Sequence, residues 1–393
     1  MVQLRRFGVA LAVGLFCSVS VLFSQSDGAL AAKFLKRSHK YKATTLPYRL
    51  FVPDKYDPSR TYPLILTLHG AGERGLDNET PLKAHRLGMV WADSLLQSQN
   101  PCFIVVPQCP PERQWVNTDW SKGSYSLTNV GISSELSTVM NLLDSLSSEY
   151  AINTDRLYVT GLSMGGYGTW DLITRFPNRF AAAVPMSGGA DTCMAASLRN
   201  MPLWVFHGKE DQSVPVSASR EMIEALLHSD RACVFTEYDY RSGTSVRMAD
   251  SVLTEKVAYN APLLYTEYVG KGHAIWQESY AIPQLARWLF AQKRTAEAAQ
   301  AKVPQIDIME IAFNYPNPFN PSTTIEYSLK KSTLVAIDIL NLAGQKIVQL
   351  ASGRQEAGRH FVRFDAKDLP SGNYFFRIIT PDWVQHGNMI LLK

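Results

Sequence analysis

The chain has 393 residues, 46% of them hydrophobic and 19% charged. This is ordinary globular composition, at a length that suggests two or three folded units. The formal charge of +4 is scattered without a long basic run, so nothing in it points to nucleic acid as a partner.

Residues 1–31 read as a secretory signal peptide. Arg5 and Arg6 form a basic start, an apolar stretch runs to Phe23, and Ala29–Ala31 supply small residues for cleavage. The apolar run approaches the length of a bilayer span, so a membrane anchor is the alternative. Cys17 falls inside this segment. Cys102, Cys109, Cys193 and Cys233 remain, and in an oxidising compartment they allow three disulfide pairings. Cys102 and Cys109 flank the strand-like "FIVVPQ", whose extended length puts them beyond disulfide reach. The other pairings stay open. No Cys/His cluster has metal-ligand spacing, so no metal is expected.

Residues 32–296 form one unit. "YRLFV", "PLILTLHG" and "FIVVPQ" read as strands. "ISSELSTVMNLLDSLSSEY" carries apolar residues at helical spacing, from Leu136 to Leu146. "RLYVTG", "GYGTWDLITRF", "FAAAVPMSGG", "PLWVFHG" and "SASREMIEALLHS" continue the alternation. Short apolar strands between amphipathic helices imply a mainly parallel sheet covered on both faces. Residues 297–308 are a polar, Ala-rich linker. From residue 309 to 393 the pattern changes to Pro and Asn punctuation and alternating strands, "TTIEYSL", "LVAIDIL", "KIVQL", "HFVRF", "NYFFRII" and "NMILL". That predicts a small all-β sandwich.

The chemistry concentrates in the first unit. "YVTGLSMGGYGTW" places Ser163 in Gly-x-Ser-x-Gly, after a strand and before a helix. That context suits a serine on a strained turn, its hydroxyl exposed and a helix N-terminus behind it. A serine needs a base. Of the later histidines, His360 and His386 lie in the β unit. His207 ends a strand, where a ring packs or bonds to backbone, and His228 ends a helix. His273 follows a strand in the Gly-flanked loop "GKGHAIW" and is the candidate base. "FHGKEDQSVPV" offers the acid: Asp211 by its short side chain, with Glu210 as its neighbour and Asp191 as a more distant alternative. In "LTLHGAGERG", the Ala71 N–H is expected to join the Met164 N–H as an oxyanion hole. His69 is then structural, and Glu73 and Arg74 tie the loop down. Trp115 and Trp276 are candidate aromatic walls for the substrate, with core packing as the alternative.

At these residues the chain resembles the α/β-hydrolase superfamily. More narrowly, it is similar to secreted esterases related to polyhydroxybutyrate depolymerases and to feruloyl and acetylxylan esterases. Some close relatives of that group are described as predicted peptidases. "YRLFVPDKYDPSRTYPLILTLHGAGERG", "PQCP", "YVTGLSMGGYGTWDLITRFPNRFAAAVPMSGG", "FHGKEDQSVPV" and "GKGHAIW" carry the likeness across most of Tyr48–Phe290. The tail resembles the C-terminal sorting domain of the type IX secretion system, through "YPNPFNPSTTIEYSL", "VAIDILNLAGQKI" and "LPSGNYFFRI". The resemblance implies a serine carboxylesterase that needs no cofactor. It also implies engagement of the secretion machinery and export to the surface or medium of a Gram-negative bacterium. Its substrates would be plant cell-wall esters or polyesters. A prolyl-oligopeptidase-type peptidase and a catalytically inactive surface-binding protein are the competing readings.

One stretch is written twice. "CVFTEYDY" and "LLYTEYVGKGHAIW" contain nearly the same strand, and only the second leads to a histidine. Residues 239–262 between them read as an insertion, with a helical stripe over Val246–Asn260. Leu263–Tyr268 is expected to present His273, and the first copy to be an added strand or a shorter arm.

Overall fold

The structure, a computed structural model, describes residues 27–227, 233–241, 261–294, 313–329, 331–342, 344–381 and 384–393. Most of the expected signal peptide, the helical stripe at Val246–Asn260, the linker and His228 lie outside the described residues.

Nine strands make one sheet: β1 (Leu35–Tyr41), β2 (Thr44–Phe51), β3 (Tyr62–Leu68), β4 (Phe103–Pro107), β5 (Ile152–Leu162), β6 (Ala182–Met186), β7 (Leu203–Gly208), β8 (Val234–Asp239) and β9 (Leu263–Val269). Their order across the sheet is β1-β2-β4-β3-β5-β6-β7-β9-β8. The β1–β2 and β2–β4 pairs are antiparallel, and every other pair is parallel. The central strands are near-continuous apolar runs because both of their faces are covered. Leu64, Leu66, Leu157, Val159, Leu203 and Val205 enter one apolar layer, with the helices Ser134–Glu149, Met164–Arg175 and Ser217–Leu227. The alternate residues Ile65, Tyr158, Trp204 and Phe206 enter the other, with the helix Pro283–Ala291. The strand period of two thus splits each sequence between two cores.

The doubled stretch resolves into neighbours. The second copy, β9, sits between β7 and β8, and the first copy is the outer strand. They run parallel in a register that sets Thr236 beside Thr266, Glu237 beside Glu267 and Tyr238 beside Tyr268. The threonine hydroxyls are 2.7 Å apart, and the tyrosine rings stack at 5.5 Å.

Asp27–Ala32 is a short helix that packs Leu30 into the second core, where it is 4% exposed. Cys102, Cys109 and Cys193 are free thiols. The C-terminal unit holds β10 (Phe313–Tyr315), β11 (Ser322–Leu329), β12 (Thr333–Leu340), β13 (Lys346–Gln355), β14 (Gly358–Asp365), β15 (Gly372–Ile379) and β16 (Val384–Leu391). These form two antiparallel sheets, β10-β11-β14 and β13-β12-β15-β16. Ile325, Tyr327, Ile337, Ile339, Phe376 and Ile378 fill the space between them.

Candidate active site

The C-terminal ends of β3, β5, β6, β7 and β9 converge on Ser163. This residue stands between β5 and the helix Met164–Arg175, at φ 54° and ψ −118°. A non-glycine residue is strained there, and such strain persists only where surroundings enforce it. The enforcement is visible: Ser163 N–H donates to the Met186 carbonyl of β6, and a side chain at Gly165 would overlap the Leu68 carbonyl of β3. Only glycine lets the turn approach the sheet this closely.

His273 Nε2 lies 2.7 Å from Ser163 Oγ, and its Nδ1 lies 2.7 Å from Asp211 Oδ2. A carboxylate only accepts, so Nδ1–H donates to Asp211 and Nε2 is left to accept the serine proton. Asp211 Oδ1 accepts the N–H groups of Ser213 and Val214 at 2.8 and 2.9 Å. Burial alone pushes this carboxyl up. Hydrogen bonds from His207, His273 and the Val214 N–H outweigh it and hold the group well below the usual carboxylate range.

The loop that carries His273 is pinned from several sides. Ser187 Oγ donates to the His273 carbonyl at 3.1 Å, from a residue itself at φ 46°. Glu210, the alternative acid, does not reach the imidazole; its carboxylate accepts the Gly270 N–H at 2.8 Å. Asp191 accepts from Leu127 and Cys193 N–H and is likewise occupied elsewhere. At the end of β7, His207 is placed to pack or bond to backbone. It does bond to the Val214 carbonyl, at 3.1 Å, but the same Nε2 also stands 3.3 Å from Asp211 Oδ2.

Ala71 and Met164 each begin a helical turn, where backbone N–H groups have no partner within the turn. Among the described residues no hydrogen bond uses either donor. The loop holding Ala71 is fixed by His69, which is fully buried. Its Nδ1–H donates to the Gly70 carbonyl at 2.6 Å, and its Nε2 accepts the Cys109 N–H at 2.9 Å. Burial lowers its pKa to about 4, so the ring is neutral at pH 7. Arg74 Nε donates to the Ala71 carbonyl and Gln108 Nε2 to the Glu73 carbonyl, at 2.8 and 3.0 Å.

The two tryptophans need correction. Trp115 has no exposed surface: its indole N–H donates to the His69 carbonyl at 3.0 Å, under the loop rather than beside a ligand. It follows a strand's C-terminal end as expected, but packing against Gly168 turns it inward. Trp276 is 8% exposed and meets the His273 ring edge-on at 5.7 Å, so it mainly supports that ring. Among the described residues no group of His, Cys, Asp and Glu is arranged to hold a metal ion.

The arrangement links the Ser163 hydroxyl, the His273 imidazole and the Asp211 carboxylate in one hydrogen-bonded chain, a geometry compatible with acyl transfer. A crystal structure described as a thermostable esterase is similar, with TM-score 0.56 and 33% identity, over 68% of this chain and 64% of that one. Together with the sheet order, this shows the α/β-hydrolase fold. Among curated proteins, a bifunctional acetylxylan esterase/xylanase of Neocallimastix patriciarum is 27% identical over 184 residues. Poly(3-hydroxyalkanoate) depolymerase C of Paucimonas lemoignei is 22% identical over 169 residues. The alignments span 46% and 33% of this chain, but only 23% and 41% of those relatives' own lengths. Residues 314–390 match the secretion system C-terminal sorting domain, which marks a secreted or cell-surface protein. Residues 43–309, well over half of the chain, match the Esterase family model, and the chain belongs to that family.

Proposed function

We propose that the protein is a secreted serine carboxylesterase that works through an acyl-enzyme. The observation that carries this is the unbroken chain from Ser163 Oγ through His273 to Asp211, with both contacts at 2.7 Å. Ser163 Oγ attacks the ester carbonyl carbon while its proton passes to His273 Nε2. The N–H groups of Ala71 and Met164 receive the negative charge that develops on the carbonyl oxygen. The C–O bond to the alcohol breaks, and the alcohol leaves with the proton from His273. Water then attacks the acyl-enzyme by the same path and releases the carboxylic acid. Asp211 keeps the imidazole in the tautomer this requires and stabilises the imidazolium.

The substrates are plant cell-wall esters, acetyl or feruloyl, or polyesters. The acetylxylan esterase and polyhydroxyalkanoate depolymerase relatives support the acetyl and polyester members of this range. Export proceeds through the type IX machinery of a Gram-negative bacterium, on the strength of the C-terminal match. The test compares wild type with Ser163→Ala on p-nitrophenyl acetate, acetylated xylan, feruloylated arabinoxylan, polyester film and prolyl amides. Wild type should react with a fluorophosphonate probe and turn over at least one natural ester class. Ser163→Ala should take no label and lose activity by about 10⁴-fold or more. Turnover of prolyl amides alone would instead make the protein a peptidase.

A further inference from the structure

Glu73 is an unusual occupant of the loop beneath the oxyanion hole. It is 6% exposed, and its Oε2 is buried with no hydrogen-bond partner. A buried charged carboxylate is costly unless it is paired and hydrogen-bonded. The other oxygen, Oε1, lies 3.3 Å from Nε2 of His85, whose side chain is 30% exposed. The next residue, Arg86, has φ 54°, a left-handed turn that a non-glycine residue takes only under constraint. Leu82 and Leu87, each 1% exposed, anchor the segment on either side. His85 is therefore a surface histidine that the fold holds in one orientation.

Its position closes a circuit around the serine. The His85 ring is 5.1 Å from the Trp276 ring, and Trp276 is 5.7 Å from the ring of His273. On the other side, the Cβ position of Gly70 is 3.0 Å from Glu73 Oε2 and 3.6 Å from Ser163 Cβ. Ser163, His273, Trp276, His85, Glu73 and Gly70 thus form a continuous wall. Most of Trp276 and Glu73 is covered, so His85 is the polar member of the outer wall that faces solvent.

We propose that His85, oriented by Glu73, is a specificity-determining contact for the alcohol side of the ester, taking a hydroxyl of a polyhydroxylated alcohol such as a sugar. This rests on the esterase reading above. In that reading the leaving oxygen takes its proton from His273 Nε2, so the alcohol lies against His273. The next surfaces along the wall are the Trp276 edge and then the His85 ring. With Nε2–H turned to the Glu73 carboxylate, His85 Nδ1 is left to accept from a ring hydroxyl of the alcohol. An aryl or simple alkyl alcohol has nothing to offer His85.

Two acetate esters with different alcohols test the contact: p-nitrophenyl acetate and a monoacetylated methyl β-xyloside. In His85→Ala, the ratio of kcat/KM for the sugar acetate to that for the aryl acetate should fall about tenfold, the worth of one hydrogen bond. Glu73→Gln should lower the ratio less, and His85→Asn should recover part of it. A purely structural pair would lower both substrates together and leave the ratio at its wild-type value, which overturns the proposal. So does a wild type that cleaves the aryl acetate and not the sugar acetate, although the esterase reading then stands. A binding arm does not depend on turnover. In Ser163→Ala, methyl β-xyloside should shift the His85 imidazole ¹⁵N resonances, and a titration without a shift sinks the inference whatever the enzyme hydrolyses.

Discussion

His207 and Asp211 lie four residues apart on the two sides of one turn, and Nε2 of the first stands 3.3 Å from Oδ2 of the second. Nδ1 of the same ring meets Ser219 Oγ at 2.7 Å. Val214 and Asp211 both present acceptors to Nε2, so the proton is on Nε2 and Ser219 donates to Nδ1. Asp211 Oδ2 is therefore held by two histidines at once. His207→Leu removes one donor to a buried carboxylate, and kcat/KM should fall roughly tenfold, with a cost of about 1–3 kcal/mol in stability. His207→Gln, which keeps a donor near the Nε2 position, should restore much of both. Steady-state kinetics and urea melts of the three proteins decide it; equal behaviour of the Leu and Gln variants would show that only packing matters.

Asp211 and Glu210 are adjacent in sequence and divided in role. In Asp211→Asn the amide oxygen stays with the Ser213 and Val214 N–H groups and the NH2 faces His273 Nδ1, which imposes the wrong tautomer and should lower kcat by roughly 10³–10⁴-fold with little change in KM. Glu210→Gln loses only charge at the bond to the Gly270 N–H and should cost less than tenfold. Comparable losses in the two variants would reverse the assignment.

Gly70→Ala tests the oxyanion loop. The added Cβ would lie 2.8 Å from Leu162 Cδ1 and 3.0 Å from Glu73 Oε2, so these side-chain ends or the loop itself must move. Because Ala71 is the next residue, kcat should fall by about 10²-fold while KM moves little. An unchanged kcat would show that Leu162 and Glu73 absorb the methyl group and the loop keeps its place.

His69 gives the stability curve a pH signature. Its folded-state value of about 4 lies below the ordinary 6.5, mainly because it is fully buried. A depressed histidine contributes stability that is complete above the unfolded value and is lost as pH falls through the folded one. The loss should run from about pH 6.5 to about pH 4 and approach 3 kcal/mol, by conversion of that shift. Urea unfolding of wild type and His69→Asn across this range isolates the effect as a difference in slope. Parallel curves would place the ring's titration elsewhere.

The parts of the site legible in the sequence were those tied to strand ends. Ser163, Asp211 and His273 each follow a short apolar strand, and a parallel sheet brings such ends to one edge, so order along the chain became proximity in space. What stayed hidden depended on loops meeting loops. Trp115 also follows a strand, but its inward turn is set by Gly168 on a helix more than fifty residues later, which no local pattern encodes. Glu73 and His85 lie in segments with no period, and the contact between them shows only once the turn at Arg86 is formed. The Leu30 side chain raises a similar point. Small residues around it read as a cleavage site, while its burial against the second core is a tertiary fact.

The register of β8 on β9 has a consequence at the margin of the sheet. Like residues lie on like, Thr on Thr, Glu on Glu and Tyr on Tyr, which is how identical segments from separate chains stack in amyloid fibrils. Here one chain makes the first two rungs itself, and β8 offers the next, with Phe235 45% exposed upon it. Glu237 and Asp239 lie along that strand, so a third copy in the same register would bring carboxylate against carboxylate. Replacing both with neutral amides would remove the repulsion and leave a template for self-association.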